Sequence, residues 1–268
     1  MTEAAPEKPN EASGAEPILR LRRVGRRFGG LHAVREVDLA IEQGERRAIL
    51  GPNGAGKTTL FNVISGDMAP TSGSIELFGA DVTRLDVRHR AKLGLSRTYQ
   101  TSRLFLGLSV EDNLYLAALG VEAGHLSPAV VPKRDRALRE RARAMAATVG
   151  LGDRIEVPVG SLSHGEQRQL EFGMARLPNP KLMLLDEPAS GLSRGERTAL
   201  TDVLLQLDPA ITLILIEHDM DVALRVAQRV TMMHDGRVVV EGTPAEIRAN
   251  PLVHELYLGS RYGAEDGA

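Results

Sequence analysis

Gly51-Pro52-Asn53-Gly54-Ala55-Gly56-Lys57-Thr58-Thr59 fits G-x-x-x-x-G-K-[ST], the pattern of a phosphate-binding loop. The apolar run Ala48-Ile49-Leu50 precedes it and reads as a buried strand; Leu60-Phe61-Asn62-Val63-Ile64 follows and reads as the first turns of a helix. A loop bent between a strand end and a helix start offers free backbone N–H groups and the positive end of the helix dipole to an anion. The glycines let the backbone take positive φ and come close to a phosphate with no Cβ in the way. Lys57 supplies a point charge for the terminal phosphates, and the Thr58 hydroxyl is a ligand for Mg²⁺. These residues predict binding of a nucleoside triphosphate.

A second acidic element belongs with the loop. Asp186-Glu187 directly follows the apolar run Leu182-Met183-Leu184-Leu185. A carboxylate at the carboxyl end of a buried parallel strand sits where ligands bind in such sheets. Asp186 is expected to hold Mg²⁺, and Glu187 to take the proton of an attacking water beside the γ-phosphate.

Composition sets outer bounds. The chain has 268 residues, 43% hydrophobic and 25% charged, ordinary for a globular protein with a sizeable core. A net charge of -2 argues against nucleic acid as the main partner. The absence of cysteine excludes disulfides and thiolate metal sites. No apolar run reaches the length of a membrane span, and residues 1–17, rich in Ala, Glu and Pro, read as a disordered tail. Residues 261–268 read as a second tail, leaving one domain over 18–260.

Within it, Ile18 to Phe28 and Ala33 to Ile41 read as strands joined at Gly29-Gly30. Ser72-Gly73-Ser74 reads as a turn and Ile75 to Phe78 as a strand. The stretch from about 92 to 162 changes to helical periodicity, with a helix after Ser109 and another from Lys133 to Val149, separated by a loop from Gly120 to Pro132. The second carries Lys133, Arg134, Arg136, Arg139, Arg141 and Arg143 on one side, a solvated face or a contact for acidic lipid or a partner. Ile211 to Ile216 is a further buried strand, Asp221 to Gln228 a helix, and Asp235-Gly236 a hairpin turn. Thr243-Pro244-Ala245-Glu246 is a capping box, and Asn250-Pro251 starts a last helix closed by Gly259.

Leu162-Ser163-His164-Gly165-Glu166, just upstream of Asp186, resembles the Leu-Ser-Gly-Gly-Gln signature of the ATP-binding subunits of ABC transporters, altered at two places. The resemblance covers nearly the whole chain after Pro17. It implies a P-loop α/β fold with a mixed sheet core, an antiparallel β subdomain and an inserted α-helical subdomain. It implies that Ser163 and Gly165, with Glu166 beside them, meet the γ-phosphate of ATP held by a second protomer. Gln100 then resembles the glutamine that touches Mg²⁺ and senses the transmembrane partner, His218 the histidine that bonds the γ-phosphate, and Phe28 the aromatic that stacks on adenine. Ser190-Gly191-Leu192-Ser193 occupies the D-loop position, with Ser193 where an aspartate is common.

Arg97-Thr98-Tyr99-Gln100, Arg103-Leu104-Phe105, Glu217-His218-Asp219-Met220 and the ending Asn250-Pro251 to Tyr257-Leu258-Gly259 resemble the LivG-like subunits of branched-chain amino acid importers. Urea and amide importers share much of this pattern, and lipopolysaccharide-export ATPases share part of it. What the resemblance implies is an ATPase using ATP and Mg²⁺, peripheral at the cytoplasmic face of the inner membrane. Its partners would be membrane permeases, docked near Tyr99 to Leu108, and a second ATPase, LivF-like or a copy of itself. A periplasmic solute-binding protein would act with it indirectly. A soluble ABC protein of translation or DNA maintenance fits less well, since the chain has neither a second cassette nor long coiled coils. A P-loop kinase or GTPase would leave the signature segment, Gln100 and His218 without a role.

Overall fold

The computed structural model describes residues 16–98, 104–121 and 131–262, with side chains left out at 121, 131–134 and 257–262. Its centre is a six-stranded sheet in the order β10-β9-β3-β8-β7-β6. The strands are β3 (Arg46–Leu50), β6 (Leu95–Arg97), β7 (Leu182–Asp186), β8 (Thr212–Ile216), β9 (Arg229–His234) and β10 (Arg237–Gly242). All pair in parallel except β10, which returns antiparallel to β9 through the Asp235-Gly236 turn. Every residue of β7 and β8 is buried, which is why their sequences run apolar without alternation.

The alternation is present in space. Leu213 and Leu215 of β8, Met183 and Leu185 of β7, and Ala48 and Leu50 of β3 enter one core. Ile214 and Ile216, Leu182 and Leu184, and Ile49 enter the other. The first core is covered by α3 (Val110–Val121), α4 (Val131–Thr148), α5 (His164–Arg176), α6 (Arg194–Leu205) and α7 (Met220–Val226). The second lies between the sheet and a four-stranded antiparallel sheet, order β2-β1-β4-β5, built from β1 (Leu19–Phe28), β2 (Leu31–Ile41), β4 (Ser72–Leu77) and β5 (Ala80–Asp81). Helix α1 (Lys57–Ser65), which leaves the phosphate loop, is packed in this second core through Leu60, Phe61, Val63 and Ile64.

Several local expectations change. Ser72 to Ser74 opens β4 instead of turning, because Ser74 pairs with Arg22 and Ser72 with Gly25 across a register shift. Gly73 is required there: at φ 80° its Cβ would lie 2.3 Å from the Arg23 carbonyl oxygen and 2.4 Å from that of Arg22. Leu95–Arg97, inside the stretch read as helical, is the sheet's edge strand, reached from α2 (Val87–Leu93). Gly120 and Pro132, read as loop ends, are helical, proline being tolerated in a first turn; residues 122–130 lie outside the described ones. Helix α7 stops at Val226, and the Gln228 N–H bonds the Arg46 carbonyl as the chain enters β9. The capping box at Thr243 forms as expected and starts α8 (Pro244–Ala249); the last helix, α9 (Pro251–Tyr262), runs through Gly259.

The arginine-rich side of α4 is an ion-pair network. Arg139 meets Asp112, Glu111 and Asp135, Arg143 meets Glu111, Arg136 meets Glu140, and Arg141 donates to the Leu177 carbonyl. Helix α3 thus receives the positive face of α4 on its acidic first turn. The side chains of Lys133 and Arg134 lie outside the described residues.

One buried cation holds the phosphate-loop helix at its far end. Arg90 of α2 is fully buried and donates to the carbonyls of Val63 (2.8 Å), Ile64 (2.7 Å), Val82 (2.7 Å) and Leu85 (3.0 Å). Two of these close the carboxyl end of α1, where the dipole favours a cation. Burial pushes the Arg90 guanidinium down to about 10. Arg90→Met strands three buried carbonyls and one part-buried one and is expected to cost about 3–5 kcal/mol, read from the urea midpoint; Arg90→Lys, lacking the planar fork, recovers only part.

Candidate active site

The phosphate loop leaves β3 with glycines at φ 151° (Gly51), 80° (Gly54) and 96° (Gly56). A Cβ on Gly51 would sit 2.2 Å from the Met233 carbonyl oxygen, and one on Gly56 2.2 Å from that of Ala33. These two glycines are therefore demanded by the protein's own backbone; Gly54 faces open space. The loop is also tied to both sheets, since the Gly236 N–H bonds the Ala55 carbonyl (3.0 Å) and the Arg35 N–H bonds the Gly236 carbonyl (2.7 Å). No side chain caps α1. Lys57 is buried, with Nζ donating to the carbonyls of Gly51 (2.7 Å) and Pro52 (2.9 Å). Burial holds its pKa below the usual lysine value, opposed by the Glu187 and Asp186 carboxylates.

Those carboxylates stand at the end of β7. Asp186 is buried; Arg97 Nη2 reaches its Oδ2 at 3.1 Å while Nη1 binds Ser65 Oγ (2.8 Å) and Asp67 Oδ2 (2.9 Å). Burial raises the Asp186 pKa, and Arg97 opposes the rise. Asp186 Oδ1 is buried with no hydrogen-bond partner among the described residues. An orphaned carboxylate oxygen, with the Thr58 hydroxyl as a further oxygen donor, fits a hard cation such as Mg²⁺.

Glu187 takes φ 51°, unusual for a residue with a side chain, and its N–H bonds the Ile216 carbonyl at 2.9 Å. The turn aims its Oε1 at His218 Nε2, 2.5 Å away. Behind them Glu217 is buried, accepting the N–H groups of Ala189 (2.8 Å) and His218 (3.2 Å), and burial pushes its carboxyl up to about 7.

A cleft of about 400 Å³ joins the phosphate loop to Glu187 and His218, while Asp186, Arg97 and Glu217 stand behind its lining. Phe28, the loop from Asn53 to Thr59, Glu187 and His218 all line it, together with Asp235 and Gly236. Phe28 comes from the tip of the β1–β2 hairpin, with the Arg26 guanidinium 4.7 Å from its ring centroid. A larger hollow of about 560 Å³ runs along α2 and β6 and carries none of the phosphate-loop residues. Gln100 lies outside the described residues.

Ser163, Gly165 and Glu166 do not line the cleft. Ser163 caps α5 and Glu166 returns the bond to the Ser163 N–H at 2.8 Å. The Gly165 N–H donates to Glu196 Oε1 (3.1 Å), whose Oε2 accepts from Ser193 as the capping box of α6. Sequence reasoning missed Arg97, Glu217 and Glu196 as site neighbours. Arg97 and Glu217 stood in quoted stretches, but their partners, Asp186 and Ala189, are distant in sequence.

A family model described as ABC transporter matches residues 34–190, and one described as branched-chain amino acid ATP-binding cassette transporter matches residues 237–263. The chain is 34% identical over 252 residues, 91% of its length and 99% of the relative's, to the high-affinity branched-chain amino acid transport ATP-binding protein LivG of Salmonella typhimurium. The same figures hold for the corresponding protein BraF of Pseudomonas aeruginosa. Among solved structures it is similar to the ADP conformation of an ATP-binding cassette of an ABC transporter, with TM-score 0.80 and 28% identity over 91% of this chain and 100% of that one.

Lys57→Ala is expected to weaken binding of a fluorescent ATP analogue by about tenfold or more, measured by titration. Glu217 also gives a pH signature. Folding raises its pKa from 4.5 to about 7, so the stability it contributes is complete below pH 4.5 and lost as pH rises through about 7. The groups facing it are the N–H groups of Ala189, His218 and Asp219 and the Asp219 carboxylate. In Glu217→Gln the urea midpoint should fall less between pH 5.5 and pH 8 than in the parent chain, by this group's share.

Proposed function

The chain belongs to the ABC transporter family of ATP-binding cassettes, and on that premise we propose that it is the ATP-hydrolysing subunit of an importer for branched-chain amino acids or related polar solutes. The observation that carries the hydrolytic part is the cleft in which the phosphate loop, Glu187 and His218 meet. The solute class rests on the carboxy-terminal match at residues 237–263 and on the printed role of the LivG and BraF relatives.

In this reading the open first turn of α1 and Lys57 hold the terminal phosphates, and Phe28 stacks against the base. Thr58 and Asp186, with Gln100 by its resemblance, would hold Mg²⁺, which would offset the negative charge of the terminal phosphates. Glu187 takes the proton of the attacking water, and His218, hydrogen-bonded to Glu187, fixes its direction toward the γ-phosphate. Ser163 and Gly165 serve the nucleotide of a second protomer, a copy of this chain or a LivF-like one, which fits their absence from the chain's own cleft.

Permease docking falls to the loop before α3. Phe105 and Leu106 are 54% and 55% exposed, and this apolar pair is held on a rigid base. Asn113, buried, accepts the Phe105 N–H (2.9 Å) and donates to the carbonyls of Phe105 (3.1 Å) and Ser109 (2.9 Å). Exposed apolar side chains on a fixed loop suit a partner helix. Residues 99–103 of the docking stretch lie outside the described ones. Among the described residues no helix is long and apolar enough to cross a membrane, consistent with a peripheral subunit held by its permeases.

Glu187→Gln should keep ATP binding, trap the closed dimer and lower turnover by about a hundredfold or more, measured as phosphate release; normal turnover would remove Glu187 as base. Phe105→Ala should reduce co-isolation with the permeases at unchanged ATP affinity. Affinity isolation from detergent-solubilised membranes tests the whole: two permeases and a second ATPase support the importer, and recovery without a membrane partner refutes it.

A further inference from the structure

Glu217 has no part in the mechanism above, yet it is 2% exposed at the end of β8, one residue before His218. A buried carboxylate is costly, and burial is what pushes this one up to about 7. Its two oxygens serve different loops. Oε1 accepts the Ala189 N–H, two residues beyond Glu187, and Oε2 accepts the His218 N–H. The first of these loops needs holding, because Glu187 sits in the left-handed region at φ 51°, a conformation that persists only where the surroundings enforce it. Its other ties are the Glu187 N–H to the Ile216 carbonyl (2.9 Å) and the Ser190 N–H to the Glu187 carbonyl (3.1 Å). The Glu187 bond already fastens the start of this turn to the end of β8, and the Glu217 bond adds a second tie farther along both loops, at Ala189 and beside His218.

We propose that Glu217 is a positioning residue for hydrolysis: its carboxylate clamps the loop after β7 to the loop after β8 and so keeps Glu187 and His218 within bonding distance of each other. This rests on the assignment of those two residues to hydrolysis. The clamp needs an acceptor at both ends. Glutamine turns one acceptor into a donor that faces an N–H, freeing one loop. Aspartate keeps the charge but, one methylene shorter, reaches only one loop.

The test compares Glu217→Gln, Glu217→Asp and Glu187→Gln in the full chain, reading kcat, KM, affinity for a fluorescent ATP analogue with Mg²⁺, and melting temperature. Glu217→Gln and Glu217→Asp are each expected to lower kcat about tenfold while nucleotide affinity stays within about twofold, since a displaced base affects the chemical step and not ground-state binding. Three results overturn the clamp: kcat within twofold of the parent chain in Glu217→Gln, full activity in Glu217→Asp, or loss of kcat and affinity together, which marks general disruption. Should either variant fail to fold, the other decides. If Glu187→Gln turns over normally, the hydrolytic reading falls and the clamp with it; if Glu187→Gln is inactive and both Glu217 variants are active, the clamp alone falls.

Discussion

The parallel pairing of β8 with both β3 and β7 brings three strand ends to one sheet edge, and with them the phosphate loop, Asp186-Glu187 and Glu217-His218. That edge must bind a polyanion while carrying three buried or nearly buried carboxylates. The fold manages the conflict by giving each acid its own partner set. Asp186 faces Arg97, Glu187 faces His218, and Glu217 is enclosed by backbone N–H groups. Lys57, buried beside the first two, supplies the positive charge on the cleft side. Removing any partner leaves an acid whose charge would weaken the attraction of the loop for phosphate.

The sequence carried much of this. Strand, glycine loop, lysine and helix start form one contiguous pattern, so the loop's chemistry and its local structure were readable together. The buried strands were readable as unbroken apolar runs, and the helix starts at Ser109, Ser163 and Thr243 from their caps. Phe28, Lys57, Glu187 and His218, expected at the nucleotide, share one cleft. What escaped was non-local. Leu95–Arg97 is too short to show a period and becomes a strand only because β7 accepts it as a neighbour. Arg90 has Asp86 four residues before it, yet its guanidinium donates to carbonyls, two of them at the end of another helix, and no local pattern shows that. Ser72 to Ser74 has turn composition, but pairing with β1 overrides it.

The signature segment shows the same division. Its cap was legible, but not its link to Glu196, 31 residues beyond Gly165, which accepts from Gly165 with one oxygen and from Ser193 with the other. Glu196 thereby occupies the amino ends of α5 and α6 at once, with a pKa below the usual glutamate value, owing first to Ser193. In the proposed dimer, a phosphate approaching Gly165 would meet a carboxylate already seated there.

The tie from Ala55 through Gly236 to Arg35 sets a dimension of the cleft. Phe28 and Leu31 stand at the near end of β2's hairpin, and the same sheet is bonded to the middle of the phosphate loop by main-chain groups alone. The backbone distance from the Phe28 end of the hairpin to the phosphate loop is therefore set by main-chain bonds, and in the proposed site a nucleotide would have to bridge that fixed span to meet both ends.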